Sequence, residues 1–415
     1  MTTLLPLARI VAHRVKIVLT AARATVLVFR SRNGVSNLLE RGFQIRYATD
    51  VDVPSVVALI RAQEKRFAGS LGAPHYPSLR KAVTEKRLHV AELNDVGIVG
   101  YVEYWRRRDG VQTIYGLATD PRFEGLGIGR NLLYSVECPI RLKCPQLVNV
   151  DKANPANAFY AKAGLKLSGI DATRGGKTLN IWTLNILPVL IQGGNPKIPE
   201  LARATGWAYG TRSSEKPRDW CYQVDLKFSE DWRAFNWAQY LNKVQRWKPV
   251  AALALDYFEP EQLPTLLTQI EDLKAVGVLR VLVCPKFDGA VKDIPLDCVV
   301  AVSVPSTYAG FVPDFTELKG RKVHLLGGSP PKWFGSKRGQ KNRVGIIEKI
   351  RHGGGKVISV DGNAHTKVAA LGGIWLEGRW FFKVKPLDLY EFARRSGLNI
   401  LEDLHKYSNG ELVNE

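Results

Sequence analysis

Three glycines at alternate positions, Gly125, Gly127 and Gly129, lie in the stretch Leu-Ala-Thr-Asp-Pro-Arg-Phe-Glu-Gly-Leu-Gly-Ile-Gly-Arg-Asn-Leu-Leu of residues 117–133. A turn stripped of side chains where a helix starts lets successive backbone N–H groups converge on an anion at the positive end of that helix. The chemistry is that of a phosphate cradle. Strand-to-helix turns also use glycine for steric reasons alone, so the flanking residues must decide. A second set of polar residues closes a series of apolar runs in the C-terminal half: Asp256, Lys286, Ser303, Ser306, the Gly327-Gly328-Ser329 turn, and Asp361 with Asn363. If those runs are parallel strands, these ends share the face where ligands bind and form a candidate second site; singly, each reads equally well as a strand-to-helix cap. His324, inside a run, reads as a satisfied core residue, and His365, just after Asn363, as a further catalytic candidate.

The composition sets bounds on this chemistry. With 415 residues, 45% hydrophobic and 24% charged, the chain is long enough for two or three globular domains. Its formal charge of +20 favours a polyanionic partner, nucleic acid above all, over an acidic protein, with a basic surface that serves only solubility as the alternative. Five cysteines, Cys138, Cys144, Cys221, Cys284 and Cys298, show no metal-ligand spacing, and their odd number argues against a disulfide scaffold. No metal site is expected, and a reducing cytoplasm fits. Before Glu40 there is no acidic residue, while Arg9, Lys16, Arg23 and Arg30 recur every seventh position. On a helix that spacing draws one basic stripe, suited to a membrane surface, a nucleic acid or an organelle leader, or it belongs to an over-extended start. No run approaches the length of a transmembrane span.

The elements that must position the glycine loop are alternating strands and helices. Patterning predicts strands at 44–47, 88–92, 96–106, 112–119, 146–151 and 177–184, and helices at 53–63, 128–136 and 155–163, the last closed by Gly164. Residues 189–203, with Gly193, Gly194, Pro196 and Pro199, read as a linker. Beyond it, apolar β-rich runs at 251–257, 279–286, 299–306, 322–329 and 356–363 alternate with helix-like stretches at 263–276 and 344–352. That predicts a parallel sheet covered on both faces, a (β/α) barrel or part of one. The expected organisation is a basic extension (1–42), a first α/β domain (43–187), a linker (188–204) and a basic barrel-like α/β domain (205–415).

The flanks of the glycine loop, residues 114–121 before it and Asn154-Pro-Ala-Asn-Ala-Phe-Tyr160-Ala-Lys-Ala-Gly164-Leu after it, with the opening Ile45-Arg-Tyr-Ala-Thr-Asp50, resemble the GCN5-related N-acetyltransferase (GNAT) family over residues 43–187. The resemblance implies an α/β layer sandwich with a mostly antiparallel sheet, whose fourth and fifth strands splay to admit the pantetheine arm of acetyl-CoA. It implies acyl transfer from acetyl-CoA, as co-substrate, to an amine. Carried over by position, backbone groups of Leu117 and Thr119 pair with the pantetheine, and the N–H groups of Leu126, Gly127, Gly129 and Arg130 hold the pyrophosphate. Asn154 matches a pantetheine-contacting asparagine, or else caps a helix before Pro155. Tyr160 matches the tyrosine that protonates the departing thiolate, or is a packed aromatic. For the base, Glu103 and Asp151 are the candidates, each also readable as a solvated carboxylate. One departure stands out: the family places Arg or Gln where this chain has Glu124, a carboxylate beside the expected pyrophosphate.

The segment Val323-His-Leu-Leu-Gly-Gly-Ser-Pro330 is faintly similar to phage proteins with barrel domains related to deazapurine base-exchange enzymes, and no residues are transferred from it. Residues 321–356 hold ten basic residues against one acid, Glu348, with Trp333 and Phe334 interleaved. A surface gripping phosphates and stacking on bases has this composition, and so does a solvated loop. The sequence thus predicts an acyl-CoA-dependent N-acyltransferase fused to a basic domain that recognises or modifies nucleic acid, with a nucleic-acid-binding or base-modifying protein whose first domain is accessory or only binds CoA as the alternative.

Overall fold

The computed structural model describes residues 42–64, 76–149, 152–192, 196–226, 234–304, 311–335, 344–382 and 388–408. Apart from Gly42, the basic extension lies outside them. Seven strands, β1 (Gln44–Tyr47), β2 (Leu88–Leu93), β3 (Gly97–Arg106), β4 (Gln112–Thr119), β5 (Ile140–Pro145), β6 (Lys166–Ala172) and β7 (Thr178–Leu184), form one sheet in the order β1-β2-β3-β4-β5-β7-β6. Every neighbouring pair is antiparallel except β4 and β5. On one face α1 (Val53–Glu64) buries Val53, Val56, Val57 and Ile60 with Val90, Tyr101 and Ala118 of the sheet. On the other, α3 (Ile128–Ser135) buries Leu132 and Leu133 with Val102, Ile114 and Leu142. A further helix, α2 (Tyr76–Thr84), leads into β2. This is the expected α/β layer sandwich.

Two details of the sheet differ from expectation. The strand predicted at 146–151 is β5, six residues earlier, because Ile140, Leu142 and Cys144 alternate inward while Arg141 and Lys143 do not; the apolar Leu147–Asn149 makes only a short ribbon with Lys152–Ala153. The edge strand β6 is an addition: no residue of it is buried, so it carries little of the alternation that a half-buried strand shows.

The C-terminal part is a closed barrel of eight parallel strands: β8 (Leu187–Ile191), β9 (Ala208–Arg212), β10 (Gln223–Asp225), β11 (Ala251–Leu253), β12 (Arg280–Val283), β13 (Val299–Ser303), β14 (Lys322–Leu326) and β15 (Lys356–Gly362). Strands β8, β12 and β13 are buried along their whole length, as burial on both faces of a parallel sheet requires. The expected linker is corrected: residues 188–204 hold most of β8 and of α5 (Ile198–Thr205). Pro199 stands in the first turn of α5 and Gly206, at φ 73°, caps its end, so proline and glycine punctuate a helix here.

The sheet domain sits at the N-terminal end of the barrel strands. Arg280, Lys322 and Lys356 each open their strand, and all three reach across. Arg280 donates to the carbonyls of Tyr134 (3.2 Å) and Ser135 (2.7 Å) and to the hydroxyl of Tyr222. Lys322 pairs with Glu137 at 2.6 Å, and Lys356 donates to the Gly110 carbonyl at 2.9 Å. The C-terminal mouth of the barrel therefore opens away from the sheet domain.

Candidate functional site

The glycine loop is built from the turn before it. Asp120 accepts from the backbone N–H of Arg122 at 2.9 Å and pairs with its guanidinium, which fixes the turn Pro121–Phe123 and buries Phe123. Gly125 and Gly127 then take φ of 81° and 85°, the left-handed region that residues with a Cβ enter at a cost. Gly127 is the N-cap of α3 and offers no side chain to the first-turn N–H groups, so these have no partner within the helix. At Gly129 a Cβ would lie 3.2 Å from the Thr119 hydroxyl, a tight contact, and 3.5 Å from Phe159, so the loop packs closely on β4 and the next helix.

Beside this loop the sheet opens. β4 and β5 pair only from Gln112–Ile140 to Ile114–Leu142, although β4 continues to Thr119 and β5 to Pro145. β5 stays fully paired to β7 on its other side, so the wedge lies between the parallel strands alone. A cavity of about 630 Å³ runs past the wedge, lined by Leu117, Thr119, residues 123–131, and Ala156, Phe159 and Tyr160 of α4 (Pro155–Lys162). Leu126, Gly127, Gly129 and Arg130 all line it, as does the exposed Glu124 on its rim.

Tyr160 is brought to this cavity, its ring centroid 6.4 Å from that of Trp182. Burial pushes its phenol upward, with Cys144 and Tyr101 adding to the shift, so it keeps its proton at neutral pH. Asn154 is differently placed: its Oδ1 accepts from the Ala156 N–H at 3.0 Å as the cap of α4, and its Nδ2 reaches the Cys144 Sγ at 3.5 Å, so the cap reading holds for its side chain. Thr119 lines the cavity, but its carbonyl already accepts from the Gln63 Nε2 at 2.7 Å. Glu103 on β3 is partly buried, and burial raises its carboxyl against the opposing effect of Arg87; it is not among the cavity-lining residues. Asp151 lies outside the described residues. Gln63 was not singled out by any local signal, since a glutamine on an amphipathic helix looks like a surface residue.

At the barrel mouth the strand ends do converge. Asp256 and Lys286 pair at 3.3 Å, and Lys286 donates to the Ser303 hydroxyl at 3.2 Å. Asp361 accepts from the Gln223 Nε2 (2.9 Å) and the Gly327 N–H (2.5 Å) and lies 3.1 Å from the His324 Nε2. His324 is thus fully engaged, its Nδ1 being 2.7 Å from the Ser359 hydroxyl. Asp225, which ends the short β10, is held well above the usual carboxylate range by burial and by the charges of Asp361 and Asp256; with Gln223 it was missed because three residues give no periodicity to read. Ser329 and Asn363 are different. Ser329 heads the helix Pro330–Phe334 and accepts at its carbonyl from the Lys332 N–H at 2.8 Å, while Asn363 heads the helix Ala364–Ala370 and accepts at its carbonyl from the Thr366 N–H at 3.1 Å; both stand at N-cap positions, but neither side chain makes a capping hydrogen bond. Ser306 lies outside the described residues. His365 is buried against Trp207, ring centroids 4.7 Å apart, in the helical layer.

Part of the basic run is engaged within the fold. Lys322 and Lys356 are spent on the sheet domain, and Arg321 donates to the Pro295 carbonyl at 2.9 Å. Trp333 is 1% exposed and donates to the Gly327 carbonyl at 3.1 Å, so it is core rather than a stacking platform. Lys337, Arg338, Lys341 and Arg343 lie outside the described residues.

Comparison with known proteins finds two matches. Residues 84–166 match the acetyltransferase (GNAT) domain, and residues 202–404 match a family of unknown function, DUF6610. The first domain thus contains a stretch that matches the GNAT acetyltransferase domain; the second match gives the likeness to phage barrel proteins no support. No curated protein matches the chain. Among solved structures, Ard1 from Thermoplasma volcanium is 16% identical, covering 35% of this chain and 99% of its own, with a TM-score of 0.29. The Salmonella typhimurium acetyl transferase that modifies the N-terminal serine of ribosomal protein L7/L12 is 17% identical over 36% of this chain and 97% of its own, at 0.29. N-acetylglutamate synthase from Neisseria gonorrhoeae, complexed with coenzyme A and N-acetyl-glutamate, is 17% identical over 34% of this chain and 35% of its own, at 0.27.

Proposed function

We propose that the sheet domain transfers an acetyl group from acetyl-CoA to an amine. The observation that carries this reading is the continuity of the glycine cradle at the start of α3 with the wedge between β4 and β5, with Tyr160 on the same cavity. The side-chain-free loop fits a pyrophosphate, because backbone N–H groups at a helix start hold an anion through charge-assisted hydrogen bonds of about 1.5–3 kcal/mol each. Leu117 lies along the wall that would take the pantetheine arm. The amine nitrogen attacks the thioester carbonyl carbon, the carbon–sulfur bond breaks, and the Tyr160 hydroxyl gives its proton to the leaving sulfur. A phenol that holds its proton at neutral pH suits that step. The amine must arrive neutral, and Glu103, raised by burial but outside the cavity lining, is the base candidate from the sequence whose position is described; it would take the proton only through intervening water.

The charge of +20 favours a polyanionic acceptor, and an amine carried on nucleic acid combines both requirements. All five cysteines are free and buried, which suits a reducing compartment such as the cytoplasm, and no described helix is long and apolar enough to cross a membrane. The deciding experiment incubates the full chain with acetyl-CoA and amine-bearing nucleic acids, then measures thiol release and the mass of digested nucleosides. A gain of one acetyl group with stoichiometric CoA release is expected. CoA binding without thiol release against any amine would reduce the domain to a CoA-binding module.

A further inference from the structure

The cavity does not end at the glycine loop. It continues along α3 as far as Tyr134, and there its opposite wall belongs to the barrel domain: Ala202 and Arg203 of α5, Trp207, Asp219 and Trp220. Two observations mark this as a built site. The first is a pair of orphaned polar atoms on the cavity wall. Trp220 is 3% exposed and its indole N–H has no acceptor, and Gln63 is 1% exposed with its Oε1 unpaired. A buried donor without a partner is costly to leave so, which points to a group that arrives with a ligand. The second is the way the domains are fastened. The Arg130 guanidinium donates to the carbonyls of Lys162 (3.1 Å) and Arg203 (3.0 Å), and the Tyr134 hydroxyl reaches those of Ala163 (3.1 Å) and Gly206 (2.8 Å). Gly164 and Gly206 touch so closely that a Cβ on either would stand 2.6 Å from the other's backbone. These contacts fix the position of the barrel wall against α3.

We infer that the barrel domain completes the acyl-CoA site by holding the nucleotide end of the cofactor, with Trp220 and Arg203 as its ligands. The inference rests on the acetyl-CoA reading above. With the pyrophosphate on the glycine loop and the pantetheine arm in the wedge, what remains of the cofactor is a planar base, a ribose and a phosphomonoester. The remaining wall offers what those groups need. Trp220 offers an N–H donor and Arg203 a cation. A guanidinium carries five N–H donors, and the pairing of Arg203 with Asp219 engages one of its nitrogens while neutralising the carboxylate that would repel a phosphate. On this view the two domains are joined because neither holds the cofactor alone.

The test uses the full chain and three probes: acetyl-CoA, acetyl-dephospho-CoA, which lacks the 3′-phosphate, and S-acetylpantetheine, which lacks the nucleotide. Calorimetry is run on wild type, Trp220→Phe, which keeps a ring and removes the donor, and Arg203→Ala. Trp220→Phe should weaken acetyl-CoA about tenfold and leave S-acetylpantetheine unchanged. Arg203→Ala should weaken acetyl-CoA about tenfold and acetyl-dephospho-CoA far less. Equal weakening of all three probes, or no change in either variant, overturns the inference while leaving the acetyltransferase reading in place. Absence of acetyl-CoA binding by wild type overturns that reading and this one with it. Should Trp220→Phe lose its cooperative melt, Arg203→Ala decides alone, its side chain being nearly half exposed.

Discussion

Placing a carboxylate in the glycine loop is the sharpest perturbation of the proposed site, and Gly127 is the position at which to do it. Gly127 has φ 85° and ψ 0°, and a Cβ built there meets nothing closer than the Asn131 Nδ2 at 3.8 Å. Gly127→Ala therefore adds backbone strain of about 1–2 kcal/mol without a clash. Gly127→Asp adds comparable strain and also a negative charge at the mouth of the cradle. At a separation of about 6 Å and an effective dielectric of ~20, one charge on a bound pyrophosphate is repelled by about 3 kcal/mol, roughly a hundredfold in affinity. The two variants should thus share a lowered melting temperature but differ in binding: Gly127→Ala within a few-fold of wild type by calorimetry, Gly127→Asp at least a hundredfold weaker for acetyl-CoA. Because the repulsion is electrostatic, raising the salt to about 0.5 M should narrow that gap. If Gly127→Asp binds acetyl-CoA within threefold of wild type, the pyrophosphate does not sit on this loop.

Tyr160→Phe should lower turnover by one to three orders of magnitude and leave acetyl-CoA affinity unchanged, since a general acid supplies about 10²–10⁴-fold; unchanged kcat would mean that solvent protonates the thiolate. Arg280→Met should cost roughly 3–5 kcal/mol in urea denaturation, because it leaves the Tyr134 and Ser135 carbonyls and Glu137 without the buried cation that joins the two domains; a loss below 1 kcal/mol would show that the apolar contacts suffice. Stability should fall with acid. Burial pushes His89 and His365 down to about 3, and His405 is lowered too, so between pH 6.5 and about 3 the unfolded chain binds more protons than the folded one. The contribution is complete above pH 6.5 and is lost as pH falls, by about 1.4 kcal/mol per pH unit for each histidine; urea midpoints that do not change between pH 7 and 5 would contradict this.

Much of the first domain follows from local pattern. Gln112–Thr119 and Gln44–Tyr47 are the strands expected, and Asn154, Pro155 and Gly164 start and stop α4 as capping chemistry dictates, because each signal lies within a few residues of the element it sets. The glycine loop is legible for the same reason: positive φ and close approach are demands on the residues themselves. Where the outcome depends on partners distant in the chain, sequence alone misleads. Leu147-Val148-Asn149 looks more like a strand than Ile140–Pro145, yet the latter has β4 and β7 to pair with. The run from Arg321 to Lys356 looks like a polyanion-binding surface, yet Lys322 meets Glu137, Lys356 meets Gly110, and Trp333 is core. Charge and aromaticity report what a side chain can do, and burial decides whether it is left free to do it. The far wall of the cavity was invisible for the deepest of these reasons: Trp220 and Gly127 are 93 positions apart, and only the docking of a barrel floor onto a sheet brings both to one cavity.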